Sequence, residues 1–381
     1  MNKILSRLFM ALFLLAGMIY LACEGPNQPV YGPDHPDPNP TGLQPVRLDS
    51  ISPSTGYLKD IVTFYGSGFN ETPVYNFVTF GSKTGEVLSA TATQIQVKAP
   101  VLSDESVTVR VAIKGSELWS NEAEFTFLPA VVTLDEEISW PNGIAVDDDG
   151  NVYVGSANDG VIFRITPEGE KTEFAHVPVN GSIHFGPNHY LYVCEKGEGK
   201  IVRVSPDGAT VEDVLAVNDP VDFTWDKNQN LYVMANDIGV YKVVNNDTVR
   251  VGEVGSGKNV RVFDDHLYVN DIWNGTVIKF AITPTGLAEG EIILETDSPS
   301  TLEFDEEGTL YFAKAWETSL FTLNAEGEED VMYEGELMTP MRYTAFKGKY
   351  LYIVYPGWAD IGTVMKVYIG VDQAPDYGIT L

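Results

Sequence analysis

From residue 46 onward the chain is written in short runs that alternate apolar and polar residues. Ile61-Val62-Thr63-Phe64-Tyr65, Phe77-Val78-Thr79-Phe80, Gln94-Ile95-Gln96-Val97, Val107-Thr108-Val109-Arg110-Val111 and Glu124-Phe125-Thr126-Phe127 all repeat with a period of two. A period of two puts every second side chain on one face of a strand, and turn residues separate the runs. The spacing predicts a small antiparallel β-sandwich over residues 46–129. Gly66 and Gly68 allow the chain to bend before Phe69 enters its core.

Beyond residue 129 the pattern becomes a repeat. A Leu/Val-Tyr-apolar core recurs with tyrosine at 153, 192, 232, 268, 311 and 352, at intervals of 39, 40, 36, 43 and 41 residues. A polar turn precedes each core, as in Asp147-Asp148-Asp149-Gly150-Asn151, Asp226-Lys227-Asn228-Gln229-Asn230 and Asp305-Glu306-Glu307-Gly308. A third strand follows each, as in Val161-Ile162-Phe163-Arg164-Ile165 and Ser319-Leu320-Phe321-Thr322-Leu323, and a second turn and fourth strand close most units. Four strands per unit, six times over, predict a six-bladed β-propeller across 130–381. The repeated tyrosine is expected to pack between blades. The last repeat ends close to Leu381, so Val131–Leu134 is expected to supply the strand that closes the ring. The fold class is therefore all-β, a small β-sandwich followed by a six-bladed β-propeller.

The first 45 residues have a different character. Lys3 and Arg7 precede an apolar run from Leu8 to Ala22, which is 15 residues long and short for a membrane span of about 20. It ends at Leu21-Ala22-Cys23, which resembles a bacterial lipobox, with Tyr20 where that motif usually carries Leu. The resemblance implies a signal peptide over 1–22 and lipidation of Cys23. Residues 23–45 then form an extended linker, with seven prolines between Glu24 and Pro45. Lipid on Cys23 would leave Cys194 alone, so the fold would rest on its own core rather than on a disulfide.

Charge narrows the partners. The chain has 24 Lys and Arg against 54 Asp and Glu, a net −30, and loss of Lys3 and Arg7 with the leader takes it to −32. A surface this acidic repels phosphate backbones, so no nucleic-acid partner is expected. Contact with a membrane is expected through the anchor rather than through a basic patch. No aspartate follows Cys23 to suggest inner-membrane retention, which places the expectation at the outer membrane of the cell envelope.

Two family resemblances follow from these residues. Ile51-Ser52-Pro53-Ser54-Thr55-Gly56, Val62 to Phe69, Val78-Thr79-Phe80-Gly81, Thr93 to Pro100 and Phe125-Thr126-Phe127 resemble the IPT/TIG family of immunoglobulin-like domains in order and spacing. Such domains imply a spacer or interaction module without catalytic groups. Pro141-Asn142-Gly143-Ile144-Ala145-Val146-Asp147, followed by Gly150-Asn151-Val152-Tyr153-Val154, resembles NHL repeats, whose propellers neighbour the SMP-30/gluconolactonase family.

SMP-30-like lactonases imply a divalent cation held at the axis by a glutamate, an asparagine and an aspartate. Counting ten residues back from each repeat tyrosine gives Gly143, Ser182, Asp222, Thr301 and Arg342, with Asn259 or Val260 in blade four. Only Asp222 is a carboxylate, with Asn142 and Asn259 as neighbours. Arg342 would bring positive charge to the same axis and oppose a cation. No cofactor is therefore expected, and a metal-dependent lactonase using Asp222 stands as the alternative. The Asp147–Asp149 run lacks calcium-loop spacing and reads as a hairpin turn. His184 and His189 flank a turn without metal-ligand spacing. Cys194, in a Leu-Tyr-Val-Cys strand, reads as a small buried hydrophobe.

The remaining chemistry is aromatic. Trp273, Trp316 and Trp358 lie five, five and six residues past the repeat tyrosines of blades four, five and six, beside Asn, Asp and Lys. Aromatic faces stack on the apolar faces of sugars while amides and carboxylates take hydroxyls, so these loops are candidates for a carbohydrate platform. The other reading is that they cover the blade tops as packing. With Asn142, Asp222, Asn259 and Arg342 they make up the expected ligand-binding face, for a glycan or a protein. An anchor, a proline linker, an IPT/TIG spacer and a propeller together resemble accessory glycan-binding lipoproteins of Bacteroidota-type polysaccharide uptake systems. That resemblance implies an envelope-displayed, non-enzymatic binder; a protein-interaction scaffold is the further alternative.

Overall fold

The computed structural model describes residues 46–378, apart from 103–104, 117, 237–238, 246 and 358–360. Cys23 and Trp358 lie outside the described residues.

The N-terminal unit is built on one eight-stranded path: Arg47–Ser52, Ile61–Ser67, Gln94–Lys98, Lys83–Ala90, Asn76–Phe80, Ser106–Ile113, Ala123–Phe127 and Thr55–Gly56. Lys83–Ala90 joins its two halves, pairing with Asn76–Phe80 and with Gln94–Lys98. The period of two is carried out as written. Val62 and Phe64, Val78 and Phe80, Ile95 and Val97, Val109 and Val111, and Phe125 and Phe127 are all buried. Gln96, Thr108 and Glu124 beside them are exposed.

The larger unit is six antiparallel sheets in chain order. Blade one is Pro141–Val146, Val152–Ser156, Val161–Ile165 and Lys171–Ala175; blade two is Ile183–Phe185, Leu191–Glu195, Lys200–Val204 and Val211–Ala216. Blade three is Pro220–Trp225, Leu231–Ala235, Gly239–Val244 and Asp247–Gly252. Blade four is Gly257–Phe263, His266–Asp271, Thr276–Thr283 and Glu291–Glu295, and a short ribbon at Gly286–Leu287 accounts for its longer repeat. Blade five is Pro299–Phe304, Leu310–Lys314, Leu320–Leu323 and Glu329–Met332. Blade six is Tyr343–Lys347, Tyr350–Tyr355 and Ile361–Tyr368, and its outermost strand is Val131–Ser139.

The ring thus closes with a strand that precedes blade one, as expected, but the strand is longer. Pairing runs from Val131 opposite Val367 to Ser139 opposite Ile361. An outermost strand needs apolar residues on few positions, so the charged Asp135-Glu136-Glu137 segment continues it where an apolar pattern would stop at Leu134. The C-terminus also departs from expectation. The last blade strand ends at Tyr368, and the segment after it crosses the end of the propeller axis instead of extending the blade.

The repeat tyrosines are buried in every blade, at 0–7% exposure, because each second strand is covered on both faces. They also fasten the turn before them. Asp147 accepts the Asp149 and Asn151 amides, the Asn151 side chain and the Tyr153 hydroxyl. Asp226 does the same with Asn228, Asn230 and Tyr232, and Asp305 with Glu307, Thr309 and Tyr311. This explains the aspartate that opens these turns: one carboxylate satisfies a hairpin and a buried hydroxyl together.

Candidate functional site

The inner strands of blades one, three, four and five share an irregularity near their start, where the pairing register slips by one residue. The slip re-aims the residues around it toward the axis. Asp222 sits there in blade three and is completely buried. Its Oδ1 accepts the Phe223 amide at 2.9 Å and faces His184 Nε2 at 2.8 Å. Its Oδ2 accepts the Val260 amide at 3.0 Å and Arg261 Nη1 at 2.7 Å. Arg261 continues the chain to blade five, donating Nε and Nη2 to the two carboxylate oxygens of Glu303. Thr344 of blade six donates its hydroxyl to Glu303 Oε1 at 3.0 Å. Blades two to six are therefore linked around the axis by His184, Asp222, Arg261, Glu303 and Thr344.

The electrostatics follow. Burial alone would push the Asp222 carboxyl up, but the Arg261 guanidinium and His184 outweigh it and hold it well below the usual carboxylate range. Burial likewise works against the charge on Arg261, and Asp222 and Glu303 more than restore it. Both Asp222 oxygens are engaged by four donors, one of them a full positive charge. That arrangement is opposed to a divalent cation, which needs open carboxylate oxygens. Among the described residues, no group of three or more His, Cys, Asp or Glu side chains is placed to hold a metal ion.

A cation does sit within the axis, and it is Arg261. Arg342 opens the inner strand of blade six with its side chain exposed, and its amide bonds the Val354 carbonyl at 3.1 Å. Beside it, burial pushes the Tyr343 hydroxyl up to about 12. Asn142 is buried with its Nδ2 3.4 Å from the Val179 carbonyl, while its Oδ1 has no hydrogen-bond partner. Asn259 is buried too, and its amide nitrogen and side-chain oxygen are both taken by the Asn270 side chain, which also bonds the Pro299 carbonyl. Asn270 thus ties blade four to blade five, with Asn259 holding its side chain in place. Of the polar candidates, Asp222 and Asn259 are engaged within the axis region and Arg342 is open to solvent.

Trp273 and Trp316 occupy equivalent loops between the second and third strands of blades four and five, with side chains 82% and 70% exposed. The loops themselves are braced. Asp271 accepts the Asn274 amide, the Asn274 side chain and the Gly255 amide, and Thr339 donates to the Ala315 carbonyl. The Ala315 amide bonds Ser298, just before the inner strand of blade five. These loops therefore lie at the end of the axis where the inner strands begin.

At the other end, where all six inner strands finish, the axis holds a cavity of about 100 Å³. Its walls include His184, Arg261 and Glu303 with Phe223, Trp225 and Phe304. The C-terminal segment forms its outer wall. Gln373 bonds blade six through the Gly348 carbonyl, Ala374 bonds blade five through Phe304, and the Tyr377 carbonyl accepts Gln229 Nε2 at 2.6 Å. Sequence counting missed His184, Arg261 and Glu303 because it stopped two or three residues early. They pair directly with repeat tyrosines Tyr192, Tyr268 and Tyr311, seven or eight positions back rather than ten.

Residues 45–127 match the model of the IPT/TIG domain, and residues 137–157 match a model described as Beta-propeller repeat. No curated protein matches the sequence. Among solved structures, an auxiliary nutrient binding protein from Bacteroides thetaiotaomicron is 12% identical, covers 87% of this chain and 99% of its own, and superposes with a TM-score of 0.52. A second protein of that description, from Bacteroides ovatus, is 12% identical over 86% of this chain and 98% of its own, with a TM-score of 0.52. A gluconolactonase from Xanthomonas campestris is 14% identical over 62% of this chain and 89% of its own, with a TM-score of 0.54. At such identities the likeness speaks for the fold alone. The chain is an IPT/TIG domain followed by a six-bladed β-propeller, with NHL- and SMP-30-like propellers as its structural neighbours.

Proposed function

We propose that this chain is a non-enzymatic binding lipoprotein of the cell envelope that holds a glycan against the propeller face bearing Trp273 and Trp316. One observation carries the reading: two tryptophans, 82% and 70% exposed, stand on braced loops of neighbouring blades. Leaving indole rings in water forfeits the burial that tryptophan normally gains, and rings held out on fixed loops suit stacking on a sugar. Asn274, Lys314 and Glu317 beside them supply hydroxyl partners. The fold neighbours named as auxiliary nutrient binding proteins support a binding role. The lipid anchor at Cys23, in the outer membrane, completes the display architecture. The engagement of Asp222 by Arg261 and His184 weighs against the metal-dependent lactonase alternative.

The test is affinity electrophoresis of the detergent-solubilised full chain against plant and host polysaccharides, with and without EDTA. Retardation by one glycan, indifferent to EDTA and lost in the Trp273→Ala/Trp316→Ala double variant, is expected. Each ring should account for about 1–3 kcal/mol, so the double variant loses at least tenfold in affinity. Absence of retardation by every glycan turns the reading to a protein scaffold, and retardation abolished by EDTA restores the metal site. Loss of membrane partitioning in Cys23→Ala tests the anchor separately.

A further inference from the structure

We propose that the axial cavity beneath the C-terminal segment is a second binding site, separate from the tryptophan face, for a neutral polyol of monosaccharide size. Three properties of the cavity carry this. The first is size: about 100 Å³ is well above the roughly 10–15 Å³ of the same measure that one water needs, yet all six inner strands and the terminal segment bound it. That is room for roughly seven to ten water-sized groups, the scale of a small polyol.

The second is the mixture of its walls. Phe223, Trp225 and Phe304, buried to 1–6% exposure, supply apolar ring edges, and His184, Arg261 and Glu303 offer donors and acceptors. The side chains of His184, Arg261 and Glu303 keep 20%, 13% and 10% exposure while Asp222 behind them keeps none. Their polar heads are the part of the ring that the cavity reaches. A pyranose or an inositol presents C–H edges and hydroxyls in return.

The third is charge. Arg261 is shared by two carboxylates, with His184 on the first of them. Lys347, also in the wall, is paired with Asp148, and Asp376 of the terminal segment takes the Gly378 amide. Arg261 and Lys347 are thus both committed to carboxylates, and Asp376 adds a further one. An anionic ligand would meet no uncommitted Arg or Lys in this wall, so a neutral ligand is selected over an anionic one.

The experiment is isothermal titration of the full chain with D-glucose, D-galactose, D-xylose and myo-inositol, with glucuronate as the anionic comparator. At least one neutral probe should bind saturably and more tightly than glucuronate. Ala345→Phe, which fills the cavity from blade six, should weaken that binding by about tenfold or more. Thr224→Val removes a wall hydroxyl without adding volume and should weaken it about threefold, a readout that survives if the filled variant does not fold. The Trp273→Ala/Trp316→Ala variant should bind the probe as the wild type does, which separates this site from the face discussed above. Saturation by no neutral probe, tighter binding of glucuronate, wild-type binding in Thr224→Val, or loss of binding in the tryptophan variant would each overturn the assignment.

Discussion

Arg261→Met tests whether the axial ring holds the propeller together. Methionine keeps much of the length of the arginine stem and removes the guanidinium. Two ion pairs disappear, Nη1 to Asp222 at 2.7 Å and Nη2 to Glu303 at 2.9 Å, together with the Nε bond to Glu303 and the Nη1 bond to the Val260 carbonyl. At an effective dielectric near 20, each ion pair carries about 6 kcal/mol of attraction. Desolvation of the buried guanidinium cancels much of that. What remains is the cost of leaving two carboxylates in the interior with their main counter-charge gone, and one-sided removal of a buried pair costs about 3–5 kcal/mol. For a domain of this size that lowers Tm by roughly 6–20 °C. Guanidinium unfolding followed by tryptophan fluorescence is a suitable assay, since Trp119 alone of the six tryptophans lies in the IPT/TIG domain.

The pH dependence sharpens the test. In the wild type the Asp222 carboxyl is held below its ordinary value, so its contribution is fully present above the unfolded value of about 3.9 and is lost only as pH falls through the depressed folded value. Between pH 4 and 7 this group adds no slope. Without Arg261, burial is the largest influence left, and it raises the folded value above the unfolded one. The folded state then binds more protons than the unfolded state, and stability falls as pH rises from about 4. The variant should therefore lose more at pH 7 than at pH 4. A loss under about 1 kcal/mol with no added slope would refute the reasoning, because it would mean that Asp222 and Glu303 are satisfied without the guanidinium.

Three further outcomes follow from local geometry. Tyr311→Phe removes a buried 2.9 Å bond to the Asp305 carboxylate and should cost about 1.5–3 kcal/mol in denaturant unfolding, with little change in m. Gly143→Ala, at φ 64° with a new Cβ only 2.8 Å from the Gly181 carbonyl, should cost about 2–4 kcal/mol, whereas Gly160→Ala, at φ 66° with open space, should cost only about 1–2 kcal/mol by the same assay. Cys194 is fully buried, and burial, with Asp222 nearby, pushes its thiol well up, so the native chain should be inert to a disulfide reagent at pH 8 and react only on unfolding.

The architecture was legible in the sequence because it is local. A period of two needs only the residue two places on, and a propeller repeat needs only its own forty residues, so Val62, Phe64, Phe80 and the six tyrosines announced themselves. The ends of the ring were less legible. Val131–Ser139 is an outermost strand whose charged half carries no apolar signature, and the segment past Tyr368 bonds blades by backbone amides, which any side chain allows.

The axial ring was harder still, for a reason of distance along the chain. His184 meets Asp222 across 38 residues, Asp222 meets Arg261 across 39, and Arg261 meets Glu303 across 42. Each step is one blade, so the partners share a place in the repeat and nothing in their own neighbourhoods. Read alone, Asp222 is a lone carboxylate near a presumed metal axis. Read with the residues opposite the repeat tyrosines of the adjoining blades, it is the acceptor between a histidine and an arginine, and the same inner-strand position that suggested a cation is the one that excludes it. In a propeller the identity of an axial residue is therefore decided one repeat to either side, and the tyrosine ladder supplies the register in which to look.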